Sequence, residues 1–228
     1  MDMGLNGKVV WVTGATGAIG RQIALGFARE GARVAASART PDALAALVDE
    51  INAGGGDAMS VPLDVTDAAA VKATAENIVG TMGQIDVLST TVAVPAFGPF
   101  LEIDADVFRM ALEVKYLGYI NCFQAALPHM IARETGAIVA ITGTGGKLPI
   151  SIHLPGGSVN ASSPGPIMSE RQQQMIDSGM SDPAKGIPLG RMGNAVEVAD
   201  SVVFLASDRA SYITGQILGL DGGGIKAL

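Results

Sequence analysis

Two hydrophobic rhythms alternate along this chain. Short apolar runs of strand character stand between longer stretches whose apolar residues recur at helical spacing. The first run, Val9-Val10-Trp11-Val12-Thr13, turns through small residues into a stretch with Ile19, Ile23 and Phe27 on one helical face. The pattern predicts a second strand over 33–38, a helix over 41–51 with a glycine-rich exit, and a third strand over 58–63. Thr66 or Asp67 caps the next helix, which runs to about residue 82. A fourth strand follows over 85–90. Asp104 opens a long helical segment to about residue 133, with Pro128 near its end. A fifth strand is expected over 136–142, and a last helix and strand over 195–206 and 213–220. Strands and helices alternating at this spacing imply right-handed crossovers. The expected fold is α/β: one domain over 1–228, a doubly wound parallel sheet with helices on both faces. No internal repeat, low-complexity segment or linker interrupts it.

Composition narrows the partners. The 228 residues carry a net charge of −7 and few aromatics. Small and aliphatic residues suit strands buried on both faces. An acidic balance without basic runs excludes nucleic acid and an anionic membrane surface as expected partners. No apolar span is long enough to cross a bilayer, and the first residues have no signal-peptide pattern. The single cysteine, Cys122, sits in an apolar helical pattern and reads as a buried, inert thiol. These features give a cytoplasmic location as the expectation.

The first strand, turn and helix carry the candidate chemistry. A helix start leaves N–H groups without internal partners, and its dipole favours negative charge. Glycines there let an anion approach the backbone. The turn reads T-G-x-x-x-A-x-G, with Gly14 and Gly20 at its ends and an extra glycine at Gly17, and so departs from the G-x-G-x-x-G fingerprint. The plainer alternative is an ordinary tight turn. After the second strand, Ala38 stands where an acid would bind a ribose 2′-hydroxyl, and Arg39 follows. An arginine there accommodates the 2′-phosphate of NADP, so NADP(H) is expected over NAD(H). A solvated surface arginine is the alternative.

Taken in order, the motifs resemble the short-chain dehydrogenase/reductase family over nearly the whole chain. They are Thr13-Gly14 to Gly20, Asp64-Val65, Ile85-Asp86-Val87-Leu88 and Ser163-Pro164-Gly165-Pro166-Ile167. Further on come Ile187-Pro188-Leu189-Gly190-Arg191-Met192-Gly193, Glu197-Val198-Ala199, Phe204-Leu205-Ala206-Ser207-Asp208, Thr214-Gly215 and Asp221-Gly222-Gly223. The resemblance implies that Gly14, Thr16, Gly17, Ile19 and Gly20 hold a pyrophosphate and that Asp64 and Val65 meet the adenine. It places Pro164 and Gly165 beside the nicotinamide, Ala93 and Ile167 among the cofactor-binding residues, and Ser169 where a threonine often contacts the cofactor. It also implies hydride transfer to or from a carbonyl or alcohol, and a homo-oligomer.

The same resemblance exposes what is missing. The family uses a tyrosine as acid/base, a lysine that lowers its pKa, a serine and an asparagine. No Tyr-x-x-x-Lys occurs: Tyr116, Tyr119 and Tyr212 all lack the lysine. The serine position falls on Gly143, and the asparagine becomes Lys115. The family's Asn-Asn-Ala-Gly becomes Thr90-Thr91-Val92-Ala93. The stretch from Gly143 to Pro164 is also short. In one alignment Val159-Asn160-Ala161 opens the sixth strand, and the helix bearing the catalytic pair is gone. In another, Gly156 and Asn160 occupy the tyrosine and lysine places. A third reading is that the natural protein has residues here that this sequence lacks. A crossover with Pro149, Pro155 and several glycines does not favour a packed helix, so one sheet face is expected to be partly uncovered.

Three residues are candidate substitutes for the missing acid: His153 and Lys147 in the crossover, and Lys115 on the long helix. For the first two a loop residue and a solvated charge are the plain alternatives. For Lys115 it is an ion pair with Glu113 or another acid. Residues 165–188 resemble a lid, with Met168, Met175 and Met180 as apolar lining and 97–100 as the opposite wall. The functional readings are an NADP(H)-dependent oxidoreductase with an unusual proton donor, a non-catalytic dinucleotide-binding protein, or a partner subunit. The substrate is not identified by the sequence.

Overall fold

The computed structural model describes residues 2–94, 100–142, 154, 156–178 and 183–224. Its strands are β1 (Val9–Thr13), β2 (Arg33–Ala38), β3 (Asp57–Pro62), β4 (Val87–Thr90), β5 (Ala137–Ile141), β6 (Ser158–Pro164) and β7 (Ile217–Leu220). The helices are α1 (Ala18–Arg29), α2 (Pro41–Ala53), α3 (Ala68–Met82), α4 (Ala105–Leu112), α5 (Gly118–Ile131), α6 (Glu170–Asp177) and α7 (Ala195–Ala206). All strand pairs are parallel, in the order β3-β2-β1-β4-β5-β6-β7. The expected doubly wound α/β sheet is therefore the fold.

Period-two alternation sorts the core into two layers. Val10 and Val12 of β1 face the cluster with α1, α2 and α7. Val9 and Trp11 face the opposite cluster with α3 and α5. Both faces of β1, β4 and β5 are buried, which is why these strands read as continuous apolar runs. Trp11 is fully buried, and its indole N–H donates to Ser37 Oγ at 2.9 Å.

One buried acid locks the amino-terminal end of the sheet. Asp86 Oδ2 accepts the Val9 N–H at 2.8 Å and Gln84 Nε2 at 2.7 Å. Its Oδ1 accepts Arg133 at 2.8 Å. The carboxylate thus joins β1 to the end of α5 just before β4 begins. Arg133 is only part-buried, but its removal would leave the buried Asp86 carboxylate with one donor fewer.

Two sequence expectations change. The long helical segment is not uniform: a π turn, Glu113–Leu117, separates α4 from α5. The last strand starts later than expected, at Ile217. Buried Asn160 of β6 explains this, because its amide donates to Ile213 O at 2.9 Å and accepts the Gln216 N–H at 3.1 Å. That side chain takes up backbone groups a ladder would otherwise use.

One of the alternatives for the crossover is also excluded. Ser158–Pro164 is a strand, registered Ala137↔Ser158 through Ile141↔Ser162 against β5. Val159-Asn160-Ala161 therefore lies in the sixth strand, and the alignment that put Gly156 and Asn160 in helical catalytic places is overturned. Lys147, Pro149, His153 and Pro155 lie outside the described residues, as do Gly143, Phe97 and Met180. The edge strand β7 exposes Ile217 and Leu218.

Candidate functional site

A cavity of about 440 Å³ opens at the carboxyl ends of β1, β2 and β4. This is where ligands bind in open α/β sheets. Gly14, Thr16, Gly17, Ile19, Gly20, Arg39, Asp64, Val65, Ala93, Ile167 and Ser169 all line it. Two expected residues do not. Pro164 ends β6, and Gly165 donates its N–H to Leu220 O at 3.0 Å beside Asp221.

The glycines of the first turn serve the turn itself as well as any ligand. Gly14 has φ +69°, a left-handed conformation that disfavours other residues. A Cβ on Gly20 would lie 2.2 Å from Gly14 O and 2.6 Å from Thr91 Oγ1. Thr91 closes this packing from the next strand, donating its hydroxyl to Thr13 O at 2.8 Å. Sequence reasoning carried Thr91 only as a lost asparagine. The readable signal was its position directly after β4, whose Thr90 is in register with Thr13 of β1.

Beyond that turn α1 begins at Gly17 with no side-chain cap. The start of α2 is likewise uncapped, at Thr40 with Pro41 following. Elsewhere caps are made: Asp67 accepts the Ala70 N–H, Asp104 the Asp106 N–H, Ser169 the Gln172 N–H and Asn194 the Glu197 N–H. The start of α5 is also uncapped but continues directly from the π turn; the free starts of α1 and α2 border the cavity through Gly17 and Thr40. They leave N–H donors and dipole ends for an anion.

Opposite them, Asp64 accepts the Thr66 N–H at 3.0 Å, which holds its carboxyl below the usual range. The Thr66 hydroxyl at 2.8 Å and the charge of Arg39 act the same way, against partial burial. Behind Asp64, α5 presses close: a Cβ on Gly118 would stand 2.6 Å from Val65 Cγ2. Ser169 caps α6 while also lining the cavity.

The helical wall adds three titratable groups. Tyr119 is buried, with its hydroxyl 2.8 Å from Ile141 O and 3.1 Å from Thr90 O. Burial pushes its pKa far above the usual tyrosine value. Burial also pushes the Cys122 thiol up to about 12, in keeping with an inert thiol. Lys115 is half-buried, and burial lowers its pKa. Among the described residues the ion pair with Glu113 is not made. Nearby, the buried hydroxyls of Thr13, Thr90 and Thr142 have no hydrogen-bond partner among the described residues.

Residues 8–155 match the family model described as short chain dehydrogenase. The chain belongs to the short-chain dehydrogenase/reductase family. Residues 155–224 of this short-chain dehydrogenase/reductase match a second model, described as Enoyl-(Acyl carrier protein) reductase. The chain is 32% identical to the 3-oxoacyl-[acyl-carrier-protein] reductase FabG of Thermotoga maritima, covering 97% of this chain and 99% of that protein. That alignment runs over 243 positions, more than the 228 residues present here, so the relative has residues that this chain lacks. Its structure resembles that of a gluconate 5-dehydrogenase from Burkholderia cenocepacia in complex with NADP and tartrate. The TM-score is 0.88 at 26% identity, covering 100% of this chain and 98% of the other. It equally resembles L-sorbose reductase from Gluconobacter frateurii complexed with NADPH and L-sorbose, with TM-score 0.88 at 25% identity and 100% of both chains covered. Family membership makes the protein an oxidoreductase of the NAD(P)-binding doubly wound class. No described helix is long and apolar enough to cross a membrane.

Proposed function

We propose that this chain binds NADP(H) in the cavity at the carboxyl ends of β1, β2 and β4 and interconverts a carbonyl and an alcohol. The observation that carries the reading is that Arg39 shares one cavity with the uncapped start of α1. The first supplies a cation for a 2′-phosphate, and the second supplies N–H donors for the pyrophosphate. NADP in the gluconate 5-dehydrogenase and NADPH in the L-sorbose reductase support the choice of cofactor. When bound, the nicotinamide supplies or accepts the hydride. Asp64 and Val65 border the adenine end, while Ala93, Ile167 and Ser169 border the nicotinamide end, with Pro164 and Gly165 behind them.

The family's usual proton donor has no counterpart. The sequence contains no Tyr-x-x-x-Lys. Tyr119 is buried under backbone carbonyls, and Tyr116 and Tyr212 are exposed. This observation also favours a second reading, dinucleotide binding without turnover. The shortened crossover, in which a helix bearing the catalytic pair has been lost, belongs to the same proposal. So do a cytoplasmic location and a homo-oligomer, the latter supported by exposed Leu112, Tyr116 and Leu117 along one helical segment. Titration of NADPH and NADH followed by nucleotide fluorescence tests the cofactor. NADPH is expected to bind at least about tenfold more tightly. Equal affinities overturn the NADP assignment, and no binding overturns the reading. NADPH oxidation with a 3-oxoacyl thioester, a keto-gluconate or L-sorbose separates turnover from binding alone.

A further inference from the structure

The π turn Glu113–Leu117 interrupts the helical wall just before Tyr119. Turns of this kind re-aim side chains and recur at functional sites. Val114 on this turn lines the cavity. Tyr119, four residues after Lys115 and so on the same helical face, brings its hydroxyl to Ile141 O and Thr90 O, at the ends of β5 and β4. Helical side chains lean toward the amino terminus, which carries Lys115 beyond those strand ends. The Thr90 and Thr142 side chains lie on the α5 face of those strand ends, by alternation with Leu88 and Ala140. Both are more than nine-tenths buried and have no described partner.

We propose that Lys115 is the catalytic residue that protonates the substrate's carbonyl oxygen, above the carboxyl ends of β4 and β5. The inference rests on the NADP(H)-dependent reading above. The Lys115 ammonium gives its proton to the oxygen as the hydride of the reduced nicotinamide reaches the carbonyl carbon. The carbonyl π pair becomes the oxygen's new O–H bond. Lys115 is left as a neutral amine, which solvent reprotonates. Partial burial makes the ammonium a readier acid than a surface lysine.

The test uses the wild-type chain and Lys115→Met, each first titrated with NADPH. Limiting acetylation with an amine-reactive ester at neutral pH, mapped by peptide mass, follows on wild type. The neutral fraction of an amine rises about tenfold for each unit its pKa falls. Lys115 is expected to acetylate before Lys8, Lys72 and Lys185, and saturating NADPH is expected to slow this at least about threefold. Lys115→Met is expected to keep NADPH affinity within about threefold and to lose at least about a hundredfold in carbonyl turnover, the scale of a general acid. NADPH binding with Lys115 unlabelled, or labelled without protection, overturns this inference alone. A Lys115→Met variant with wild-type turnover overturns it too. Failure of wild type to bind NADPH overturns the underlying reading instead.

Discussion

Helices α1 and α7 lie side by side on one face of the sheet, so close that a Cβ on Gly26 would stand 3.2 Å from Val203 Cγ2. Their amino ends are built in opposite ways. At α7, Asn194 accepts the Glu197 N–H at 3.0 Å, and Glu197 accepts the Asn194 N–H at 2.9 Å. Arg191 then pairs with both oxygens of Glu197. At α1, Gly17 offers no side chain, and the first turn holds no acid. The α7 start is closed by its own residues, and the α1 start is left for something else. In the proposed reading the anion site is partly made by withholding a cap, and this difference can be broken from either side.

The largest effect is expected at Gly20. In Gly20→Val the new Cβ meets the Gly14 carbonyl at 2.2 Å, and backbone has little room to yield. Overpacking of this kind costs about 1–3 kcal/mol, and the turn must open to relieve it. NADPH binding is expected to disappear, with a fall in melting temperature read by circular dichroism. Next comes a change that makes α1 resemble α7. Gly17 has φ −71° and ψ 160°, which any residue adopts, and its Cβ would meet only ordinary contact at 3.4 Å. Gly17→Asp therefore caps the helix with its own carboxylate. Stability is expected to hold or rise by about 0.5–1 kcal/mol, while NADPH affinity falls more than about tenfold by repulsion and competition for the N–H groups. A variant that binds NADPH normally breaks the comparison.

Arg39→Ala sharpens it, because it leaves the helix start intact. NADPH affinity is expected to fall at least about tenfold and NADH affinity to stay within about twofold, since a charge-assisted contact to a phosphate is worth about 1.5–3 kcal/mol. Parallel fluorescence titrations of both nucleotides check this.

The amino-terminal half of the site was legible because its signals are local. Strand, glycine turn and helix lie within a dozen residues, and the strand ends at Arg39 and Asp64 converge once the sheet is wound. What was not legible depends on distance in sequence. The tie from Thr91 to Thr13 spans 78 residues, and the one from Asn160 to the turn before β7 spans more than 50. No periodicity announces such ties. The π turn was also hidden, because one inserted residue hardly disturbs an apolar pattern already read as helix. The crossover was open on spacing alone. The pairing of β6 with both β5 and β7 excluded the helical alignment, since a strand held between two partners cannot double as a helix.

Effects at the closed end are smaller. Asn194→Ala removes the reciprocal cap and is expected to cost about 1 kcal/mol, with NADPH affinity unchanged, by chemical denaturation and titration of the same sample. The smallest effect comes from Glu197. Hydrogen bonding from Arg191, then from the Asn194 N–H, pulls its carboxyl down to about 2 from an ordinary 4.5. A depressed folded-state value stabilises the fold above the unfolded value and ceases to do so as pH falls through the folded one. The contribution is therefore full above about pH 4.5 and drains away toward pH 2. Glu197→Gln is expected to flatten the acid side of a melting-temperature profile between those limits and leave NADPH binding at pH 7 as it was. An equally steep acid limb in the variant would assign the slope to other carboxylates. The closed start of α7 would then owe its stability to the Asn194 cap rather than to the Glu197 charge.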